Sequence, residues 1–355
     1  MRLPDDMEES KKWNPTLTAG VGAVCVVILL IIIIVLFVNR EKASVTKPSS
    51  TQGQNMMSKE ESVETTSSLS PDDFDFWDMY PEATIAPVIE EIPQVTQTPA
   101  PSEDGKHTKI INEDKEEEWI KINNKVEKNT YDFTNLVCKS QMMQYYKDGE
   151  ECSFVGIDIS KYQEYIDFNK VKKAGIDFCM IRVGARGYGT GQLILDEYFQ
   201  ENIKRASDAG LEIGVYFFSQ AITQEEAIEE ANMVLEQIKD YKLTYPIAFD
   251  MEYIENDTAR VEQLDKEQKT AVARAFLDTV KNAGYTPMIY GKKEWLITKV
   301  DLVLLSEYDI WLSQYEDIPD YPYKFSMWQY SNQGTVDGIS GKVDLNISFI
   351  DYSQK

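Results

Sequence analysis

From Phe154 onward, short apolar runs alternate with stretches in which apolar residues recur every three to four positions, the periods of buried strands and amphipathic helices. The runs predict strands at Phe154–Asp158, Phe178–Arg182, Glu212–Phe217, Ile247–Asp250, Pro287–Tyr290, Asp309–Leu312 and Phe325–Gln329, with a last short one near Val343–Asp344. Helices are predicted at 168–174, 196–209, 223–239 and 266–283. The third opens on a capping box, Thr223 with Glu226, and two of them close on Ala-Gly, at Ala209-Gly210 and Ala283-Gly284. Repeated strand, helix, strand units imply a parallel α/β architecture. Eight strands favour a closed barrel over an open sheet, and the shorter connections between the later strands make that barrel irregular.

The pattern before Phe154 is different. Residues 17–38 read LTAGVGAVCVVILLIIIIVLFV, an uncharged run of 22 residues long enough to cross a hydrocarbon core of about 30 Å. A cleaved signal peptide has a shorter apolar region followed by a small-x-small site, whereas this run ends on Phe37-Val38-Asn39-Arg40. The reading is therefore an uncleaved transmembrane helix after an N-terminal tail, 1–16, which becomes cytoplasmic if the orientation is N-in. Lysines and arginines flank it evenly, Arg2, Lys11 and Lys12 before and Arg40, Lys42 and Lys47 after, so charge does not orient it. Residues 39–116 are rich in Ser, Thr, Pro, Gln and acids, too poor in apolar surface to offset the entropy of ordering, and read as a disordered stalk. Its one aromatic patch, Phe74 to Tyr80, is either a docking motif or an incidental cluster. In 117–153 spaced apolar residues such as Trp119, Ile122, Tyr131 and Leu136 predict a lead-in of short strands packed on the main domain, 154–355.

Charge and rare residues narrow the chemistry. The net charge is -24 and acids outnumber bases in both halves, so neither half offers the basic field that nucleic acid requires. The single histidine, His107, lies before the main domain, which excludes there a Ser-His-Asp or Cys-His nucleophile and a His-ligated zinc site. Cys179 sits in an apolar run and reads as core, and the glycines from Gly184 to Gly191 lack the lysine of a phosphate loop. Cys138 and Cys152 flank a short polar stretch and are a candidate disulfide if this part is extracytoplasmic, or two free thiols in a reducing compartment.

Carboxylates remain. Working groups of barrels sit at the C-terminal ends of strands, and acids stand at three such ends: Asp158, the pair Asp250 and Glu252, and Asp344. Positions i and i+2 share one side of a strand, so Asp250 and Glu252 face one cavity with Met251 turned away. Two carboxylates so close raise the pKa of one and suit it to donate a proton near neutrality. Tyr188, Tyr216, Phe217, Tyr290, Trp311, Tyr315 and Trp328 are candidates to stack on sugar rings, or else core and rim.

At these residues the chain resembles the family 25 glycoside hydrolases, the bacterial N-acetylmuramidases often called lysozymes. The resemblance rests on VGIDISKYQ at 155–163, FCMIRVG at 178–184, GVYFFSQA at 214–221, YPIAFDME at 245–252, PMIYG at 287–291, IWLSQY at 310–315 and MWQYSNQGTVDGISGKVDLN at 327–346, in the family order. It implies a (β/α)5(β)3 barrel, TIM-like but irregular, that cleaves the β-1,4 bond between N-acetylmuramic acid and N-acetylglucosamine of peptidoglycan with retention. No cofactor and no metal are implied. Carried over, Glu252 looks like the general acid, Asp250 the support of the reacting acetamido group or intermediate, and Asp158 and Asp344 flanking acids. Whether that intermediate is covalent or an oxazolinium stays open. Many members have His where Phe217 follows Tyr216, which implies altered substrate contacts. The alternative is a membrane-tethered peptidoglycan-binding module without catalysis. With a wall substrate, the 17–38 helix would place the N-terminus in the cytoplasm and the barrel outside the cell membrane.

Overall fold

The computed structural model describes residues 105–112, 115–254 and 258–354. The predicted tail, the 17–38 helix with Cys25, and the Phe74 to Tyr80 patch lie outside the described residues. Among those described, no helix is long and apolar enough to cross a membrane.

Order begins earlier than the stalk boundary predicted. His107–Ile111 forms β1 and pairs antiparallel with β2, Glu117–Lys121. The reason is alternation: Thr108 and Ile110 point inward and are buried, a period-2 signal too short to stand out in an acidic surround. A small antiparallel sheet follows, with β4 (Met142–Lys147) between β3 (Leu136–Lys139) and β5 (Glu150–Glu151).

This sheet corrects the predicted disulfide. Cys138 lies opposite Met143 in β3–β4, while Cys152 follows β5, its backbone N–H donating to Tyr145 at 3.0 Å. The two cysteines thus flank β4 on opposite sides, about two strand spacings or 10 Å apart, beyond the roughly 7 Å reach of a disulfide. Both are free thiols.

All eight barrel strands of the hydrophobic pattern are present. They are β6 (Phe154–Ile159), β7 (Phe178–Arg186), β9 (Glu212–Phe218), β10 (Ile247–Asp250), β11 (Pro287–Lys292), β12 (Asp309–Ser313), β13 (Met327–Gly334) and β14 (Val343–Ser348), with β8 (Leu193–Leu195) a short edge on β7. Neighbours from β6 to β13 are parallel; β14 runs antiparallel to both β13 and β6 and closes the barrel. Helices α1 (Phe168–Lys173), α2 (Phe199–Asp208), α3 (Gln224–Ile238), α4 (Lys266–Asn282) and α5 (Lys293–Thr298) follow the first five barrel strands, and none follows the last three. The Thr223 hydroxyl caps Glu226 N at 3.2 Å, while the Glu226 carboxylate accepts from Ile222 rather than from Thr223 itself. Gly210 and Gly284 take positive φ, 76° and 89°, to end their helices. Helix α5 escaped the periodicity reading because six residues hold less than two turns.

Alternation divides the core into two layers. Phe178, Met180, Tyr216, Ala248, Met288, Tyr290, Trp311 and Met327 fill the barrel interior. Cys179, Ile181, Phe217, Phe249, Ile289, Leu312 and Trp328 face outward into the second layer, toward helices and the N-terminal sheet. Over β14 and β6 the N-terminal segment supplies the cover: β4 packs on both strands, and Tyr131, ahead of β3, stacks on Phe349 at 4.2 Å and donates to the Phe325 carbonyl at 3.0 Å.

Candidate active site

The four predicted acids meet at one mouth of the barrel. Asp158 is the penultimate residue of β6, Asp250 is the last residue of β10, and Glu252 lies two residues beyond it. Asp344 reaches the same mouth by a different route. It is near the start of β14, not its end, and faces Asp158 directly because β14 runs against its neighbours. Met251 is fully buried in the outer layer, so Asp250 and Glu252 share the inner side.

Asp158 is the most firmly held of the four. Its Oδ2 accepts from Gln329 Nε2 at 2.9 Å and from Asn346 Nδ2 at 2.7 Å. The Asn346 carbonyl oxygen in turn accepts from the Trp311 indole at 2.8 Å. Gln329 Oε1 faces three hydroxyls, those of Tyr290 (3.0 Å), Ser313 (3.0 Å) and Tyr315 (2.9 Å). That is one more donor than an amide oxygen has lone pairs, so one hydroxyl can turn to a bound sugar without leaving Gln329 unsatisfied. Burial pushes the Asp158 carboxyl up, the two amides pull it down and the Glu252 charge pushes it up again, to about 6.

Asp344 shares a hydrogen bond with Asp158 as the protonated partner; burial and the charges of Asp158 and Glu252 hold its carboxyl well above the usual range. Asp250 is likewise pushed well up, first by burial and then by Glu252 and Asp158, against the opposing pull of Arg182 and Lys292. Burial and mutual repulsion therefore bias the cluster toward holding protons. Two cations temper it. Lys292, at the end of β11, places Nζ 3.5 Å from Glu252 Oε2. Arg182, fully buried on the inner side of β7, is paired with Asp196 at 2.8 Å. A cluster of this kind, several carboxyls with unequal proton affinities above a packed barrel floor, is suited to donate a proton to a glycosidic oxygen and to stabilise the positive charge that develops on the sugar.

The aromatic candidates divide. Tyr216, Tyr290 and Trp311 stand inside the barrel as an edge-to-face group, with Trp311 4.7 Å from Tyr290 and 6.0 Å from Tyr216. Tyr315 is at the rim and 38% exposed, the best placed to meet a sugar face. Phe217 and Trp328 are turned away from the mouth, contrary to expectation: Phe217 lies in register with Phe249 in the outer layer, and Trp328 is wholly buried there, its indole donating to the Gln314 carbonyl at 2.7 Å. Each neighbours an inward residue in sequence, and strand alternation sends it to the other side. Tyr188, beyond β7, is also buried in the outer layer. Sequence reasoning passed over Gln329, Asn346, Ser313, Arg182 and Lys292. The same alternation carried the signal for Gln329, two positions from inward Met327, and for Asn346, two from Asp344.

The profile described as glycosyl hydrolases family 25 matches residues 157–339. Among curated proteins, the uncharacterized protein YegX of Escherichia coli (strain K12) is 28% identical over 195 residues, 54% of this chain and 68% of its own length. The autolytic lysozyme of Clostridium acetobutylicum is 26% identical over 192 residues, 54% of each chain. Of solved structures, the modular autolysin LytC from Streptococcus pneumoniae is 24% identical with a TM-score of 0.49, covering 68% of this chain and 56% of that one. A family 25 glycosyl hydrolase from Bacillus anthracis is 23% identical with a TM-score of 0.47, covering 58% of this chain and 93% of that one. The match thus spans about half the length of the clostridial lysozyme and the pneumococcal autolysin.

Proposed function

This chain belongs to glycosyl hydrolases family 25, and from that premise we propose that it is a membrane-anchored muramidase. Its reaction is hydrolysis of the β-1,4 bond between N-acetylmuramic acid and N-acetylglucosamine of peptidoglycan, with retention at the anomeric carbon. The observation that carries this reading is the convergence of Asp158, Asp250, Glu252 and Asp344 on one barrel mouth within the matched domain.

In this reaction Glu252 protonates the leaving glycosidic oxygen. Asp250, whose carboxyl is biased toward the protonated form in the free site, trades that proton within the pair and steadies the acetamido group or intermediate left behind. Asp158, fixed by its two amides, contributes a negative field beneath the oxocarbenium-like transition state at no reorganisation cost. Asp344 holds the shared proton beside it. The uncharged 17–38 run supports an anchor, with the barrel on the wall side.

Purified full-length chain in detergent should release new reducing ends at N-acetylmuramic acid from peptidoglycan. Glu252→Gln should lower the rate by about 10²- to 10⁴-fold while still sedimenting with wall. Wild-type protein that binds wall and releases no sugar would leave a binding module as the reading. Proton NMR of the first product anomer tests retention, and protease shaving of intact cells tests the topology.

A further inference from the structure

Strands β1 and β2 lie outside residues 157–339, so their sheet is an addition to the family domain. Its inner side carries the buried Thr108 and Ile110, and β1 packs on α5, the helix that follows β11. Just past β2, the Asn123 N–H donates to the Tyr323 hydroxyl at 2.8 Å, in the connection from β12 to β13 that also carries Tyr315. The two strands thus bridge two connections of the barrel mouth. Ile111, the last residue of β1, lines a cleft of about 880 Å³ that Glu252 also lines.

The outer side carries Trp119, 53% exposed in the middle of β2. Trp119 stands opposite Lys109 in register, and Ile111, 48% exposed, stands opposite Glu117. Directly paired residues share a side of the sheet, so these four lie together, with Trp119 and Ile111 diagonal neighbours about 7 to 8 Å apart. Lys109 and Glu117 pair at 2.9 Å, both well exposed, and a surface pair of this kind is weak enough to share its hydrogen bonds. An indole flanked by an ammonium and a carboxylate suits a pyranose ring. The C–H face of the sugar packs on the aromatic ring, while its hydroxyls and acetamido group find a donor and an acceptor.

Continuity with the cleft identifies the occupant. A glycan strand with its scissile bond at Glu252 that leaves along this cleft passes Ile111 and comes next to Trp119. Resting on the muramidase reading, we propose that the outer side of the β1–β2 sheet, centred on Trp119, is an accessory subsite that stacks an N-acetylhexosamine ring of the same strand beyond the reacting pair. A second grip on one strand adds to the first, so the chain would favour long strands over short fragments.

The test uses the full chain in detergent with two stem-free substrates, long peptidoglycan glycan strands and a tetrasaccharide cut from them. Wild type should favour the long strands in kcat/KM. Trp119→Ala should shrink that preference about 5-fold, through KM, while Trp119→Tyr should keep most of it. An undiminished preference in the alanine variant overturns the subsite. Calorimetry with the hexasaccharide of N-acetylglucosamine separates the two readings, since it needs no turnover. If nothing is cleaved but this sugar binds about 5-fold more weakly to Trp119→Ala than to wild type, the muramidase reading fails and the subsite stands. Equal affinities, or no binding to wild type, overturn the subsite whatever the activity. Emission that brominated lipid quenches in nanodiscs, and that Trp119→Phe removes without change in sugar binding, would assign the ring to the bilayer instead.

Discussion

Asp158 illustrates how one side chain is prepared by others. Its carboxylate is gripped by Gln329 and Asn346, and those amides are themselves oriented by Trp311, Tyr290, Ser313 and Tyr315. Gln329 is the hub, so Gln329→Leu removes one donor to Asp158 and strands buried hydroxyls. It should lower stability by roughly 1–3 kcal/mol, read as a fall in the unfolding midpoint, and reduce kcat more than it raises KM. A variant with wild-type kcat would show that Asp158 needs no such positioning. That carboxylates are the candidate chemistry was legible in sequence because the main domain has no histidine. Which amides hold them was not, since Gln329 and Asn346 come from strands β13 and β14 and meet Asp158 only on closure.

At the level of elements, the barrel floor depends on small residues that admit large ones. A Cβ on Gly156 would lie 2.1 Å from the Phe178 ring, the ring that stacks on Tyr245 at 4.2 Å. Gly156→Ala should therefore destabilise by about 1–3 kcal/mol through overpacking, checked by denaturant midpoint; a neutral effect would mean that the ring has room to withdraw. The N-terminal sheet is a second element with a defined task. Phe133, 2% exposed in the 3-10 turn that leads into this sheet, stacks over Phe325 at 6.4 Å. Phe133→Ala should cost about 3–5 kcal/mol, and a chain beginning at Phe154 should be insoluble because the outer face of β13, β14 and β6 is bared. Soluble, cooperatively melting protein from such a chain would deny the sheet this part.

For the whole molecule, buried acids couple stability to pH. Burial holds Asp158 and Glu230 protonated up to about 6 and about 7, against the usual 3.8 and 4.5. Both folded-state values are raised, so the folded chain binds more protons than the unfolded one between about pH 4 and pH 7. The stability this brings is complete below the unfolded values and is lost as pH rises through 6 to 7. The unfolding temperature should thus fall from pH 5 to pH 8, and Glu230→Gln should make that slope shallower; a flat wild-type profile would contradict it. The eight strands, the main helices and the family resemblance were already present in the sequence, because hydrophobic period and short motifs are local properties of a chain. Only the tertiary structure decided that Cys138 and Cys152 are held apart by β4, that Phe217 and Trp328 face outward, that reversed β14 brings Asp344 to Asp158, and that β1 is ordered and walls the cleft. Each of these depends on which strands become neighbours and on which side of the sheet a residue falls, and the free energy that selects those neighbours is burial summed over segments far apart in the chain.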